Sequence, residues 1–70
     1  MCIAMIITLN GSATTLDSRC TVQALLEERG LAGRPAAVEV NGFVVPRTQH
    51  DTHELRDGDR IEIVTLVGGG

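Results

Sequence analysis

Two histidines and two carboxylates fall within five positions, His50-Asp51-Thr52-His53-Glu54. Those are the donor types that hold zinc or another divalent cation. Their spacing works against it, because histidines at i and i+3 in a short polar stretch are not the i, i+4 helical pair of a zinc protease. Neither Cys2 nor Cys20 is clearly placed to complete a ligand set. A solvated loop with no metal is the expectation here.

Nucleophilic chemistry has no better footing. Ser12, Ser18, Cys2 and Cys20 lack an evident base and orienting group. Nor is a chain of 70 residues large enough to enclose a ligand pocket of about 300 Å³ or more without a partner. Val67-Gly68-Gly69-Gly70 remains. A phosphate loop needs a helix N-terminus after its glycines, and none follows Gly70. Glycine costs the most entropy to order and brings nothing wider than the backbone. Residues 68–70 therefore read as a flexible tail, and three extended residues reach about 10 Å. That reach would carry a carboxylate into a narrow cleft on a partner. A frayed terminus is the plain alternative. By elimination, the group best placed to react is the C-terminal carboxylate of Gly70.

The elements that would present this tail make one small domain, residues 1–67. Hydrophobic residues are 43% of the sequence while aromatics are 1%, so the core must be aliphatic, and Val, Ile and Leu suit a sheet with one helix. Net charge is −3, no basic run occurs, and Phe43 is the single aromatic. These features argue against nucleic acid as a partner and favour a protein with a basic surface. Met1 to Leu9 is apolar but too short to span a membrane. With no secretory leader, Cys2 and Cys20 are expected as free thiols in a cytoplasmic protein.

Met5, Ile7 and Leu9 alternate with Ile6 and Thr8, continuing the pattern of Met1 and Ile3, so the first strand should turn this heavier set inward. Asn10-Gly11 then signals a two-residue hairpin turn, with a short strand returning over Ala13 to Leu16. Thr21 caps a helix whose Val22, Leu25 and Leu26 form one apolar stripe, and Gly30 ends it with Leu31 closing the contact. A third strand covers Ala37 to Val40. Asn41-Gly42 turns it into Phe43 to Val45, and Pro46 marks that strand as an edge. Arg47 to Glu54 is polar and irregular, with room for one helical turn. Asp57-Gly58-Asp59 leads into a final strand, Arg60 to Val67, which becomes apolar on both faces. The order predicts an α+β fold: a mixed sheet of four to five strands wrapping one helix, with the first and last strands parallel at its centre. The surplus apolar residues Val64, Leu66 and Val67, with Phe43 beside them, are the expected partner-binding surface.

Four stretches in this order resemble the ThiS sulfur carrier family of thiamine biosynthesis. They are Thr21-Val22-x-x-Leu25-Leu26, Val40-Asn41-Gly42-x-Val44-Val45-Pro46-Arg47, Asp57-Gly58-Asp59-x-Ile61-Glu62-Ile63 and Val67-Gly68-Gly69-Gly70. The resemblance implies the ubiquitin-like β-grasp fold and a carrier rather than an enzyme. It implies that a ThiF-type enzyme uses ATP to adenylate the carboxylate at Gly70. Sulfur from a cysteine desulfurase route then gives a thiocarboxylate, which a ThiG-type thiazole synthase consumes. The carrier itself would bind no cofactor. Two features depart from the family's pattern: a longer, more hydrophobic Met1 to Met5, and Gly68 as a third glycine. The same fold and tail fit a MoaD-type small subunit of molybdopterin synthase, though those chains tend to lack the Val-Pro-Arg stretch. A ubiquitin-like modifier joined to lysines and an interaction module with an inert tail are the other readings.

Overall fold

The computed structural model describes residues 4–17 and 19–66. Strands β1 (Met5–Leu9) and β2 (Ser12–Leu16) precede helix α1 (Val22–Glu28). Strands β3 (Ala36–Val40) and β4 (Phe43–Val45), a 3₁₀ turn over Arg47–Gln49 and strand β5 (Arg60–Thr65) follow. They form one five-stranded sheet in the order β2-β1-β5-β3-β4. Strands β1 and β5 run parallel, with Leu9 opposite Ile61, while the other three pairings are antiparallel. This is the expected mixed sheet with its first and last strands side by side. It also puts β4, the strand stopped by Pro46, at an edge.

Local chemistry accounts for each element. At the hairpins, Asn10 and Gly11 have φ of 49° and 84°, and Asn41 and Gly42 have 54° and 86°. Both central positions of a type I′ turn need that left-handed region, and its twist suits two adjacent strands. Thr21 is extended and its hydroxyl accepts from Ala24 N at 3.1 Å, which satisfies one of the orphan donors at a helix start. At the other end Gly30 has φ 73°. Its N–H donates to Glu27 O, and that of Leu31 donates to Leu26 O, the pair of bonds that closes a helix through a left-handed glycine.

The apolar face of α1 lies on the sheet. Ile7, Val22, Leu25, Val38 and Ile61 are completely buried, joined by Met5, Leu9, Leu16, Leu26, Val40 and Val45. The inward set of β1 is therefore the heavier one, as its alternation requires. Strand β5 stops at Thr65, short of the expected end, and Met1, Ile3 and Val67 lie outside the described residues.

The segment after β4 is where the structure departs from a solvated loop. His50 is 5% exposed and Leu55 4%. Carbonyls of His53 and His50 accept from Val22 N at 3.0 Å and Gln23 N at 2.8 Å, and Leu55 N donates to Cys20 O at 2.9 Å. Residues 50–55 thus act as a second cap across the start of α1. The first-turn N–H groups that Thr21 cannot reach find their partners there.

Candidate functional site

His50 takes up a scaffold role through its ring, and His53 does so through its backbone carbonyl. The imidazole Nε2 of His50 lies 3.0 Å from Val45 O. A carbonyl can only accept, so this nitrogen carries the proton. Among the described residues, no three of His, Cys, Asp or Glu come together in a way that would hold a metal ion. Cys20 is a buried free thiol whose Sγ donates to Thr21 O at 3.3 Å. Burial, with Glu28 nearby adding negative charge, pushes that thiol above its ordinary range, so it is a poor nucleophile at neutral pH. Cys2 lies outside the described residues.

Val67, Gly68, Gly69 and Gly70 likewise lie outside the described residues. Their base is described as far as Leu66, and it is held from both sides. On the β1 side, Thr8 N donates to Asp59 O and Asn10 N to Ile61 O, each at 2.9 Å. The side chain of Asn10 extends that ladder, accepting from Ile63 N at 2.8 Å. On the β3 side the pairing runs from Val40 opposite Ile61 to Ala36 opposite Thr65. Leu66 N then donates to Pro35 O at 2.9 Å. Strand β5 is an interior strand bonded along its length, which gives the residues that follow a fixed point of departure.

The apolar residues expected at a partner surface are all exposed: Phe43 at 77%, Val64 at 57% and Leu66 at 55%. They do not form one patch. Val64 lies opposite Ala37 on the sheet face turned away from α1, and Val44, opposite Glu39, shares that face. Phe43 lies opposite Val40 on the other face of edge strand β4. It borders a groove of about 770 Å³ beneath that edge, together with Pro46, His53, Leu55 and Arg56. Leu66 borders a hollow of about 260 Å³ with Leu26, Leu31, Pro35 and Arg47. Sequence reasoning missed Val44, exposed at 66%. Strand alternation between Phe43 and Val45 was the signal that could have found it. Also on the outer face, Glu39 and Glu62 are direct cross-strand partners, a like-charge pairing that costs the isolated sheet stability.

With no reactive constellation among the described residues, the chain's relatives supply the remaining observations. Residues 6–70 match the model of the ThiS family. The sulfur carrier protein ThiS of Escherichia coli (strain K12) is 35% identical over 66 residues, which are 94% of this chain and 100% of that protein. A thiazole synthase from Paramagnetospirillum magneticum is 39% identical over 66 residues. There the matched region is 94% of this chain but only 20% of the relative, so the chain spans a fifth of the length of that relative. Among solved structures, a crystal structure of the thiamine biosynthesis protein ThiS from Geobacter metallireducens superimposes with a TM-score of 0.80. The two are 35% identical, covering 94% of this chain and 100% of that one.

Proposed function

The chain belongs to the ThiS family, and on that premise we propose that it is a sulfur carrier of thiamine biosynthesis whose working group is the carboxylate of Gly70. The observation that carries this reading is the extent of the match. It runs to residue 70 and so takes in the glycines, and it covers the whole of a bacterial sulfur carrier.

A carboxylate is a poor acyl donor because its leaving group would be oxide. In the proposed cycle a ThiF-type enzyme lets a Gly70 carboxylate oxygen attack the α-phosphorus of ATP. Pyrophosphate departs, and the acyl adenylate that remains has AMP as a good leaving group. The terminal sulfur of a persulfide supplied through a cysteine desulfurase then attacks the carbonyl carbon and AMP leaves; a thiol reduces the resulting acyl disulfide, releasing the thiocarboxylate and leaving a disulfide. A ThiG-type thiazole synthase takes that sulfur. The presence of a matching segment within a thiazole synthase supports that pairing of activities. ATP belongs to the activating enzyme, and the carrier holds no cofactor. Gly69 and Gly70 lack the Cβ that would collide with the walls of a narrow acyl-transfer site, and Gly68 lengthens the reach.

The fold serves this chemistry as a handle. Partners grip the exposed Val64 and Leu66 around the end of β5 and the Val67 that follows in sequence, with Phe43 and Val44 at the β4 edge. Charge adds selectivity, since Glu39 and Glu62 pair with each other in the free domain and would gain from a cation presented by a basic partner surface. An ATP–pyrophosphate exchange assay with a ThiF-type enzyme tests the first step. Exchange should depend on this chain and vanish when Gly70 is deleted. Undiminished exchange with the truncated chain would place the reacting group elsewhere.

A further inference from the structure

Both two-residue turns have the sequence Asn-Gly, and both asparagines do a second job beyond the turn. Asn10 places Oδ1 2.8 Å from Ile63 N and Nδ2 3.4 Å from Ile63 O. Asn41 places Oδ1 2.9 Å from Arg60 N and Nδ2 3.0 Å from Asp59 Oδ1. Each hairpin is thereby latched to one side of β5 through a side-chain amide that stands in for a peptide group.

Asn-Gly is also the dipeptide most open to intramolecular deamidation, because glycine has no Cβ to shield its nitrogen. The glycine N attacks Cγ of the asparagine and loses its proton to solvent, and Nδ2 takes up a proton from water and leaves as ammonia. Water then opens the resulting succinimide ring to aspartate, or to isoaspartate with the backbone rerouted through the side-chain carbon. Water is the only co-reactant, and both asparagines sit on exposed turns.

Conversion replaces the Nδ2 donor with a charged oxygen, and the two sites respond differently. At Asn10 the lost partner is a neutral carbonyl at 3.4 Å, beyond the usual N–H···O distance. The surviving oxygen can still accept from Ile63. At Asn41 the new carboxylate meets that of Asp59, and two carboxylates sharing a site repel. Asp59 is not free to swing away. Its Oδ2 accepts from Arg56 N at 2.8 Å and its backbone carbonyl from Thr8 N at 2.9 Å. Repulsion at Asn41 therefore falls on the turn that joins β1 to β5. Isoaspartate would add a further backbone atom to a turn built for two left-handed residues.

We infer that Asn41-Gly42 is a spontaneous modification site at which deamidation breaks the side-chain link between the β3–β4 turn and Asp59 and so strains the turn that leads into β5, whereas conversion at Asn10-Gly11 leaves β5 largely in place. This rests on the fold alone and not on the sulfur-carrier reading. The test ages the full chain at mildly alkaline pH and maps conversion at both asparagines, with a urea-unfolded sample as the control for intrinsic rate. Asn41→Asp and Asn10→Asp variants are unfolded in urea alongside it, and the aged protein is unfolded after separation by charge.

Conversion is expected at both positions. The Asn41→Asp midpoint should fall below that of Asn10→Asp, with protein converted at 41 showing the same deficit. That deficit should shrink as pH drops through the carboxylate range of about 4. It should also shrink on adding Asp59→Asn, whose amide can donate to the new carboxylate. If Asn41→Asp does not fold, the aged wild-type fraction supplies the comparison. The inference is overturned if the folded chain shows no conversion at Asn41 while the unfolded control converts. Equal midpoints for the two variants, or a deficit that Asp59→Asn leaves unchanged, would overturn it as well.

Discussion

Replacing His50 by alanine should destabilise the domain far more than a loop position ordinarily allows. The imidazole is 5% exposed and its Nε2 is the partner of the Val45 carbonyl at 3.0 Å, on a residue that is itself buried. Truncation leaves that carbonyl unpaired, at about 1–3 kcal/mol, and removes a ring from a packed position. Together these come to about 2–4 kcal/mol. A domain of this length has roughly 4–10 kcal/mol in total, so about a fifth of the stability or more is at stake. With a urea slope of about 1 kcal/mol per molar for so small a chain, the midpoint should fall by about 2 M or more. A His50→Gln variant keeps an N–H within plausible reach of the carbonyl and should lose less. The assay is urea unfolding followed by far-ultraviolet circular dichroism at neutral pH. A loss below about 0.5 kcal/mol, the range of ordinary surface substitutions, would refute the reasoning and return His50 to the solvated loop that its polar neighbours suggest.

Three further outcomes are expected. Gly42→Ala places a side chain at φ 86° where no heavy atom lies within 4 Å of the new Cβ; strain alone should cost about 1–2 kcal/mol in urea unfolding. Leu66→Glu should weaken affinity for a ThiF-type enzyme tenfold or more, about 1.4 kcal/mol, with an unchanged unfolding midpoint, as measured by calorimetric titration. The thiol of Cys20 is held above its ordinary value by burial and then by Glu28. The folded state therefore keeps its proton longer than the unfolded chain. That contribution to stability is complete below the thiol's ordinary value of 9.0 and is lost as pH rises from there through the raised folded value. Urea midpoints measured across alkaline pH should fall more steeply in the native chain than in Cys20→Ala.

Much of this fold was legible because local and tertiary preferences agree. Asn10-Gly11 and Asn41-Gly42 fix two hairpins, since few other pairs accept two left-handed residues in a row. Thr21, the stripe of Val22, Leu25 and Leu26, and Gly30 mark the start, buried face and end of the helix. Residues 50–55 were not legible in the same way. They carry no period of 2 or 3.6, so nothing local announces that Leu55 enters the core or that His50 is buried. Their placement follows from backbone bonds to Val22, Gln23 and Cys20, partners about thirty residues distant, which only the assembled fold brings near. Phe43 shows the opposite failure. Its aromatic bulk marks it as surface capital for a partner, yet only the register, with Val40 opposite, shows that it shares no sheet face with Val64. At the C-terminus, Gly70 was singled out by eliminating the side-chain alternatives, and the family match extends to it. The chemistry proposed for the tail rests on that membership, because glycines by themselves name no reaction.

The most direct measurement is the intact mass of the chain after incubation with a ThiF-type enzyme, ATP, a cysteine desulfurase with cysteine, and a thiol reductant. The account predicts a gain equal to exchange of one oxygen for sulfur, located on Gly70 by fragmentation and absent when Gly70 is deleted. An unchanged mass with an active enzyme, or Gly70 found instead in an isopeptide bond to a lysine, would contradict it.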